Sequence, residues 1–481
     1  MKRAMTVLMT LAVFAASARF ASADEPYNQF DRGVTVFNND KRALDIWGRG
    51  QMLGVGEVVS DPVRGADHER VYEFLKEARV GFNGKEEDLF NYQIEFAYGG
   101  ENQNTSQSNA GGYELLDFVA DVPVKPLGEN AIVKLGQFRV PYGREELGDE
   151  GYQDFADRSI ANLAANHGRD FGLAIMGTHE KWTGTVGTFP DGGRDIAQRY
   201  LPEELGVPEL VTRFGYNDGV DKDIYHVLGT DRKLTRDAKA VFVNGLFETD
   251  TRIGHSTALQ NHANDGNLLV DKNYNPYFNR SNNGTGTCSA STCERGRLWD
   301  VGADAVYRHP MGNDQAVETE GQVDYGGYDN RFGTLHIASA RAQADYQAGK
   351  WEFGARYALL SIDKKAGFFT AASAVPAGET MSSQSVDGGR SWTSGMGKPI
   401  HEITPSITYH FRNHTMKLVA DLPIYLDCPL IIAAGDGAYA FPDQGGASPA
   451  WDQIAAADGG TGSSVVRRAT VEGRMMFQFQ F

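Results

Sequence analysis

The sequence predicts an all-β protein, a transmembrane antiparallel β-barrel of about 16 strands. Three observations predict it: an export leader, repeated period-two alternation of apolar and polar residues, and a final strand that alternates through to Phe481.

The leader is read from Met1-Lys2-Arg3, an apolar run from Ala4 to Ala18, and Ala21-Ser22-Ala23, the layout of a secretory signal peptide cleaved after about Ala23. The run falls short of the roughly 20 apolar residues that a spanning helix needs. No later stretch reaches that length, which excludes a helical membrane protein. A soluble exported protein and a barrel remain, because only helices and closed barrels satisfy every backbone group in lipid.

Composition fits a barrel wall, with 56 Gly, 20 Tyr and 26 Phe and only 41% hydrophobic residues. Such a wall needs apolar residues at every second position only. The formal net charge is −17, and loss of Lys2, Arg3 and Arg19 with residues 1–23 reduces the 46 basic residues by three, to 43 against 63 acidic, or −20. Acidity of this size argues against nucleic-acid binding.

Alternation is clearest at 90–98, where Phe90, Tyr92, Ile94, Phe96 and Tyr98 oppose Asn91, Gln93, Glu95 and Ala97. Trp299, Val301, Ala303, Ala305 and Tyr307 oppose Asp300 and Asp304. Glu318, Glu320, Gln322 and Asp324 share a face, as do Ser339, Arg341, Gln343 and Asp345. Trp351, Phe353, Ala355 and Tyr357 oppose Glu352 and Arg356, and Ile403, Ile407, Tyr409 and Phe411 oppose Glu402, Thr404, Ser406, Thr408 and His410. Fainter strands read at 44–56, 72–83, 113–122, 131–140, 170–179, 182–189, 210–216, 224–230, 238–248 and 415–422. Aromatic residues near strand ends suit the two interfacial girdles of a membrane barrel. Loops read at 249–297, 366–399 and 428–464, and a further one at 141–169.

The final strand places Val471, Met475, Phe477, Phe479 and Phe481 opposite Thr470, Glu472, Arg474, Gln478 and Gln480. An aromatic edge strand invites aggregation in a soluble protein, and a barrel removes the edge by pairing last strand with first. With Phe477, Phe479 and Phe481, the strand resembles the signal by which outer-membrane proteins reach their assembly machinery.

Cys288 and Cys293 lie in a loop and could form a local disulfide in an oxidising compartment, while Cys428 is unpaired by count and reads as a small apolar residue. No covalent haem, phosphate-loop, nucleophile-elbow or zinc-protease motif occurs. No catalysis, cofactor or metal is therefore expected. His410 and His414 lie four apart across an expected turn and read as exposed.

Residues 131–177 carry a more specific signal. Gly136-Gln137-Phe138-Arg139-Val140-Pro141-Tyr142-Gly143-Arg144-Glu145-Glu146, then Asp157-Arg158-Ser159, then Gly168-Arg169-Asp170-Phe171-Gly172 resemble the phosphate-selective porin O and P family of Gram-negative outer membranes. The hairpin from Trp182 to Gly192 extends the resemblance. It implies a sixteen-stranded, trimeric barrel over residues 24–481, set in outer-membrane lipid, with 141–169 as an inward-folded constriction loop that narrows the pore and basic side chains passing phosphate or related anions. Arginine suits that task because its guanidinium binds phosphate oxygens bidentately. The candidates are Arg139, Arg144, Arg158, Arg169, Arg341, Arg356, Arg468 and Arg474. The polar faces also carry Glu95, Asp300, Asp304, Glu318, Glu320, Asp324, Glu352, Glu402 and Glu472, so a uniformly basic pore is not expected. Two other readings are a barrel sheathing a periplasmic electron carrier and a soluble secreted β-protein.

Overall fold

A strand with one aromatic and one charged face is stable only where each face meets its own solvent, and in the computed structural model that separation organises the whole chain. The structure describes residues 33–39, 41–61, 66–98, 114–127, 130–162, 167–189, 209–218, 236–252, 295–312, 315–330, 333–362, 399–412, 415–432 and 464–481. The leader 1–23, Cys288, Cys293, His414, the strand expected at 224–230 and the greater part of the loops 249–297, 366–399 and 428–464 lie outside the described residues.

The strands are β1 (Val34–Asn38), β2 (Arg42–Asp61), β3 (Ala66–Glu86), β4 (Phe90–Tyr98), β5 (Glu114–Pro123) and β6 (Ile132–Arg139). Next come β7 (Arg169–His179), β8 (Trp182–Phe189), β9 (Glu209–Asn217), β10 (Ala238–Arg252), β11 (Arg295–Gly312) and β12 (Gln315–Asn330). The last are β13 (Gly333–Ala348), β14 (Trp351–Ile362), β15 (Ile400–Arg412), β16 (Met416–Asp421), β17 (Ile424–Ile432) and β18 (Ser464–Gln480).

From β2 to β15 each strand pairs antiparallel with the next. β16 and β17 both lie between β15 and β18, so they are two halves of one wall position, interrupted at Leu422-Pro423. β18 pairs with β2 and closes the ring. β1 pairs with Ala43–Ile46 of β2, just past the point where Phe481 bonds Gly48 through both backbone groups, at 3.1 and 3.0 Å. It continues the line of β18 and adds no wall position, so the barrel is a closed ring of sixteen strands. Closure removes the edge that an aromatic final strand would otherwise present.

At one end of the ring the connections are short, at 87–89, 124–131, 180–181, 313–314, 349–350 and 413–415, with 218–237 the one long exception. At the other end lie the long connections 99–113, 140–168, 190–208, 253–294, 363–399 and 433–463, together with the short 62–65 and 331–332. Gly136 departs from ordinary strand geometry with φ +123°. A Cβ there would stand 1.9 Å from the Phe118 carbonyl oxygen, so β6 can lie against β5 at this point only with glycine.

Val301, Tyr307, Val323, Tyr325, Trp351, Phe353, Phe479 and Phe481 are exposed on the outside, whereas Asp300, Asp304, Glu318, Arg341, Glu352, Glu402 and Arg474 are buried inside. On β11, Trp299 and Tyr307 are eight residues apart, about 26 Å along the strand and about 20 Å of height once tilted by about 40°. Trp182, Tyr216, Tyr346, Trp351, Tyr409 and Phe411 lie close to the short connections, Tyr98, Trp299, Tyr325 and Tyr357 towards the long ones. Two girdles and an apolar band between them match a bilayer's hydrocarbon core. Val243, opposite Ala303 midway between Trp299 and Tyr307, is 56% exposed in that band. Val243→Arg is expected to cost about 2–4 kcal/mol of stability in lipid vesicles. Val243→Leu is expected to leave the denaturant midpoint unchanged.

The structure revises three expectations. Residues 249–252 and 295–297 belong to β10 and β11, and 428–432 to β17, not to loops. His410 is buried rather than exposed, with Nε2 2.9 Å from Glu352 Oε2. Pro423 ends β16 because it has no N–H to donate, yet its carbonyl still accepts from Glu472 N at 3.0 Å.

Candidate functional site

The connection from β6 to β7 supplies the groups that meet the polar inner faces. Its two ends are joined by Val140 N donating to Gly168 O at 2.9 Å. Gly143 and Gly168 have φ of +69° and +70°, which turns the chain off β6 and back onto β7. Between them stand a one-turn helix, α1 (Arg144–Leu147), and a 3₁₀ turn, Glu150–Tyr152, capped by the Asp149 side chain accepting from Gly151 N at 2.7 Å. Arg144, Glu145, Glu146 and Leu147 are all buried.

This segment bonds to wall strands around the ring. Gln51 of β2 and Gln478 of β18 donate to the carbonyls of Glu150 and Gly151. Lys76 of β3 donates to Ala156 O at 2.5 Å, and Ala156 N donates to Asp421 of β16 at 2.9 Å. Arg356 of β14 donates to Asp157 O, Ile160 N donates to Glu402 of β15, and Glu145 N donates to Gln322 of β12. Arg144 pairs with Asp304 of β11 at 3.3 Å. Ala156 also joins Leu53, Val55, Val419 and Met476 in a small apolar cluster. A segment touching so many inner faces is held by many separate bonds, and its position depends on all of them.

Glu150 is the densest node. Arg139 donates to both its oxygens at 2.6 and 2.7 Å, and Arg158 donates to Oε1 at 2.6 Å. Arg79 and Arg49 stand at 3.1 and 3.6 Å. Burial pushes the Glu150 carboxyl up, but these four guanidiniums outweigh it and hold it well below the usual carboxylate range. Arg49 is bonded also to Glu77 and Asp149, and Arg79 to Glu77 and Glu95. Glu145 is held down in the same way: burial raises it, Arg341 and Arg356 lower it more, and Ser159 donates to it from N and Oγ at 2.7 Å each.

Each described arginine named from sequence meets a carboxylate. Arg139 and Arg158 share Glu150, and Arg144 meets Asp304. Arg169 donates to Asp117 at 3.0 Å, and Arg341 donates to Glu320 at 2.7 Å. Arg356 donates to Glu402, and Arg474 donates bidentately to Asp421 at 2.7 and 2.9 Å. Arg468 pairs in register with Cys428, and its side chain lies outside what is described. Sequence reasoning missed Arg49, Arg79, Glu150, Lys76 and Lys417. Alternation could have found Arg49 and Arg79, which share an inward phase with Gln51 and Glu77.

A cavity of about 330 Å³ opens between the segment and strands β2 to β6. Arg79, Lys134, Arg139 and Arg169 line it together with Glu95, Asp117, Asp121 and Asp149. Among the described residues, the buried polar set holds nineteen carboxylates against twelve Lys and Arg. The inner surface is therefore an ion-pair lattice with an acidic excess, not a basic ladder.

A family model described as phosphate-selective porin O and P matches residues 57–392. No curated protein matches the chain. Among solved structures, the chain is similar to an anion-selective porin from Comamonas acidovorans, at 12% identity over 91% of this chain and 100% of that one, TM-score 0.47. It is similar to OprB of Pseudomonas putida at 10% identity, covering 91% and 94%, TM-score 0.49. It is also similar to the outer membrane channel DcaP of Acinetobacter baumannii at 9% identity, covering 93% and 100%, TM-score 0.44.

Proposed function

The chain belongs to the phosphate-selective porin O and P family, and from that premise we propose that it passes small hydrophilic solutes by diffusion through a water-filled lumen narrowed by residues 141–169. The observation that carries this reading is the set of bonds from 145–160 to the inner faces of β2, β3, β12, β14, β15, β16 and β18. A loop so placed narrows a pore and selects by size and charge. It also speaks against a sheath for a protein partner, which needs an open lumen. The chain is exported with its leader removed after about Ala23, assembles in the outer membrane of a Gram-negative cell, and works as a homotrimer without cofactor.

Ion preference has two readings. The acidic excess of the inner surface favours weak selectivity. The convergence of Arg49, Arg79, Arg139 and Arg158 on one carboxylate favours anions such as phosphate, which could be relayed between guanidiniums. Reversal potentials in asymmetric potassium chloride and potassium phosphate decide between them. Weak selectivity gives potentials close to zero in both salts, and anion preference gives a clear anion sign, stronger in phosphate. In the second case, joint replacement of Arg139, Arg144, Arg158 and Arg169 by Ala is expected to move the potential towards cations. No movement would remove these residues from selectivity.

A further inference from the structure

Asp154 of the inner segment, Asp345 of β13 and Glu352 of β14 each offer one oxygen within 4.8 Å of the others, and all three residues are more than nine-tenths buried. Asp154 Oδ2 and Asp345 Oδ2 share one donor, Gln343 Nε2, at 3.2 and 2.8 Å. Asp154 Oδ1 and Asp345 Oδ1 are buried and accept no hydrogen bond. An unmet carboxylate oxygen inside a protein is costly, and two beside a third carboxylate more so. Asp345 Oδ1, Ser406 Oγ and the ring of Phe155, the neighbour of Asp154, all crowd the Cα of Gly354. A Cβ on Gly354 would stand 2.4 Å from Asp345 Oδ1 and 3.1 Å from the Phe155 ring. Any side chain at position 354 would therefore collide with that oxygen.

We propose that Asp154, Asp345 and Glu352 bind a Ca²⁺ ion that pins the inner segment to the wall. The donors are all carboxylate oxygens, which suit a hard cation, and Ca²⁺ tolerates the irregular geometry of side chains drawn from a loop and two strands better than Mg²⁺, which demands a near-ideal octahedron. Lys417 and His410 face the cluster. Lys417 donates to Gln153 O, and His410 lies against Glu352. Glu318 adds a further negative group near Asp154. One ammonium leaves the cluster acidic. Burial, then Glu352 and Asp345, push the Asp154 carboxyl well above its usual range.

The test uses the full chain purified in detergent, with ⁴⁵Ca²⁺ in equilibrium dialysis. Wild-type protein is expected to bind one more ion per chain than Asp345→Asn or Asp154→Asn, with Glu180→Gln in an exposed turn as the unchanged control. Thermal unfolding supplies a second measurement, needed if an Asn variant does not assemble: chelation with EGTA lowers the wild-type midpoint and Ca²⁺ restores it. Equal binding by wild type and variants overturns the site. So does a wild-type midpoint that follows pH and ignores Ca²⁺, which would mean that the three carboxylates share protons instead.

Discussion

Glu150→Ala is expected to cost about 3–5 kcal/mol of stability and to widen the channel, because it removes the one carboxylate shared by Arg139, Arg158, Arg79 and Arg49. The cost arises from what remains. Arg139 loses its bidentate partner and keeps only the carbonyls of Glu146 and Gly148. Arg158 keeps the carbonyls of Glu145, Glu146 and Gly148 and a 3.6 Å contact with the Glu146 carboxylate. Four guanidiniums would then crowd a buried space held by Glu77, Glu95 and Asp149. The cheapest relief is for 145–160 to leave the wall and let water in. Single-channel steps should grow, and reversal potentials should shift towards anions. Glu150→Gln keeps the volume and loses the charge, so it should shift selectivity similarly with a smaller rise in conductance. Unchanged conductance and an unchanged unfolding midpoint in Glu150→Ala would show that the node does not hold the segment.

The second large effect is expected at the closing seam. The Phe481 and Phe479 rings lie over Gly48 and Gly50 of β2, where a Cβ would come within 2.6 and 2.5 Å of them. Aromatic rings here cover glycine backbone that would otherwise face lipid. The double change Phe479→Ala with Phe481→Ala strips both rings from the pairing that closes the ring. Both rings are partly exposed, at 44% and 55%, so what the change removes is their cover over the Gly48 and Gly50 backbone across the seam. Folded barrel in outer-membrane fractions, read as the heat-modifiable band, is expected to fall to a small fraction of wild type. Phe118→Ala, which removes an exposed ring far from the seam, should leave that yield nearly intact. Equal yields in the two would show that the seam aromatics are dispensable.

The wall was legible because each inward carboxylate or arginine alternates with an outward apolar side chain, as at Asp300 to Tyr307 and Glu352 to Tyr357. Legibility stopped where a strand leaves the apolar band. Thr249-Asp250-Thr251-Arg252 and Arg295-Gly296-Arg297 have polar residues in both phases, so nothing marks them as strand. β16 and β17 hide a single wall position behind Pro423. β1 was not expected at all: five exposed residues have no buried face to pattern them. His410 looked like a turn residue by its neighbours, although its phase matches Glu402 and Thr408, and phase decided its burial.

The site was legible in its arginines but not in their partners. Arg356 meets Glu402 across 46 residues, and Arg474 meets Asp421 across 53. No local pattern carries such pairings; only the ring order does. The arginines were read as anion sites, whereas every described one is already engaged by a carboxylate, and competition from that partner sets how firmly an entering anion can be held.

The most direct measurement is planar-bilayer recording of the purified wild-type protein beside Glu150→Ala. The expected result is discrete conductance steps in the wild type and larger steps in the variant. A wild-type protein that assembles in the bilayer yet gives no steps would contradict the channel itself.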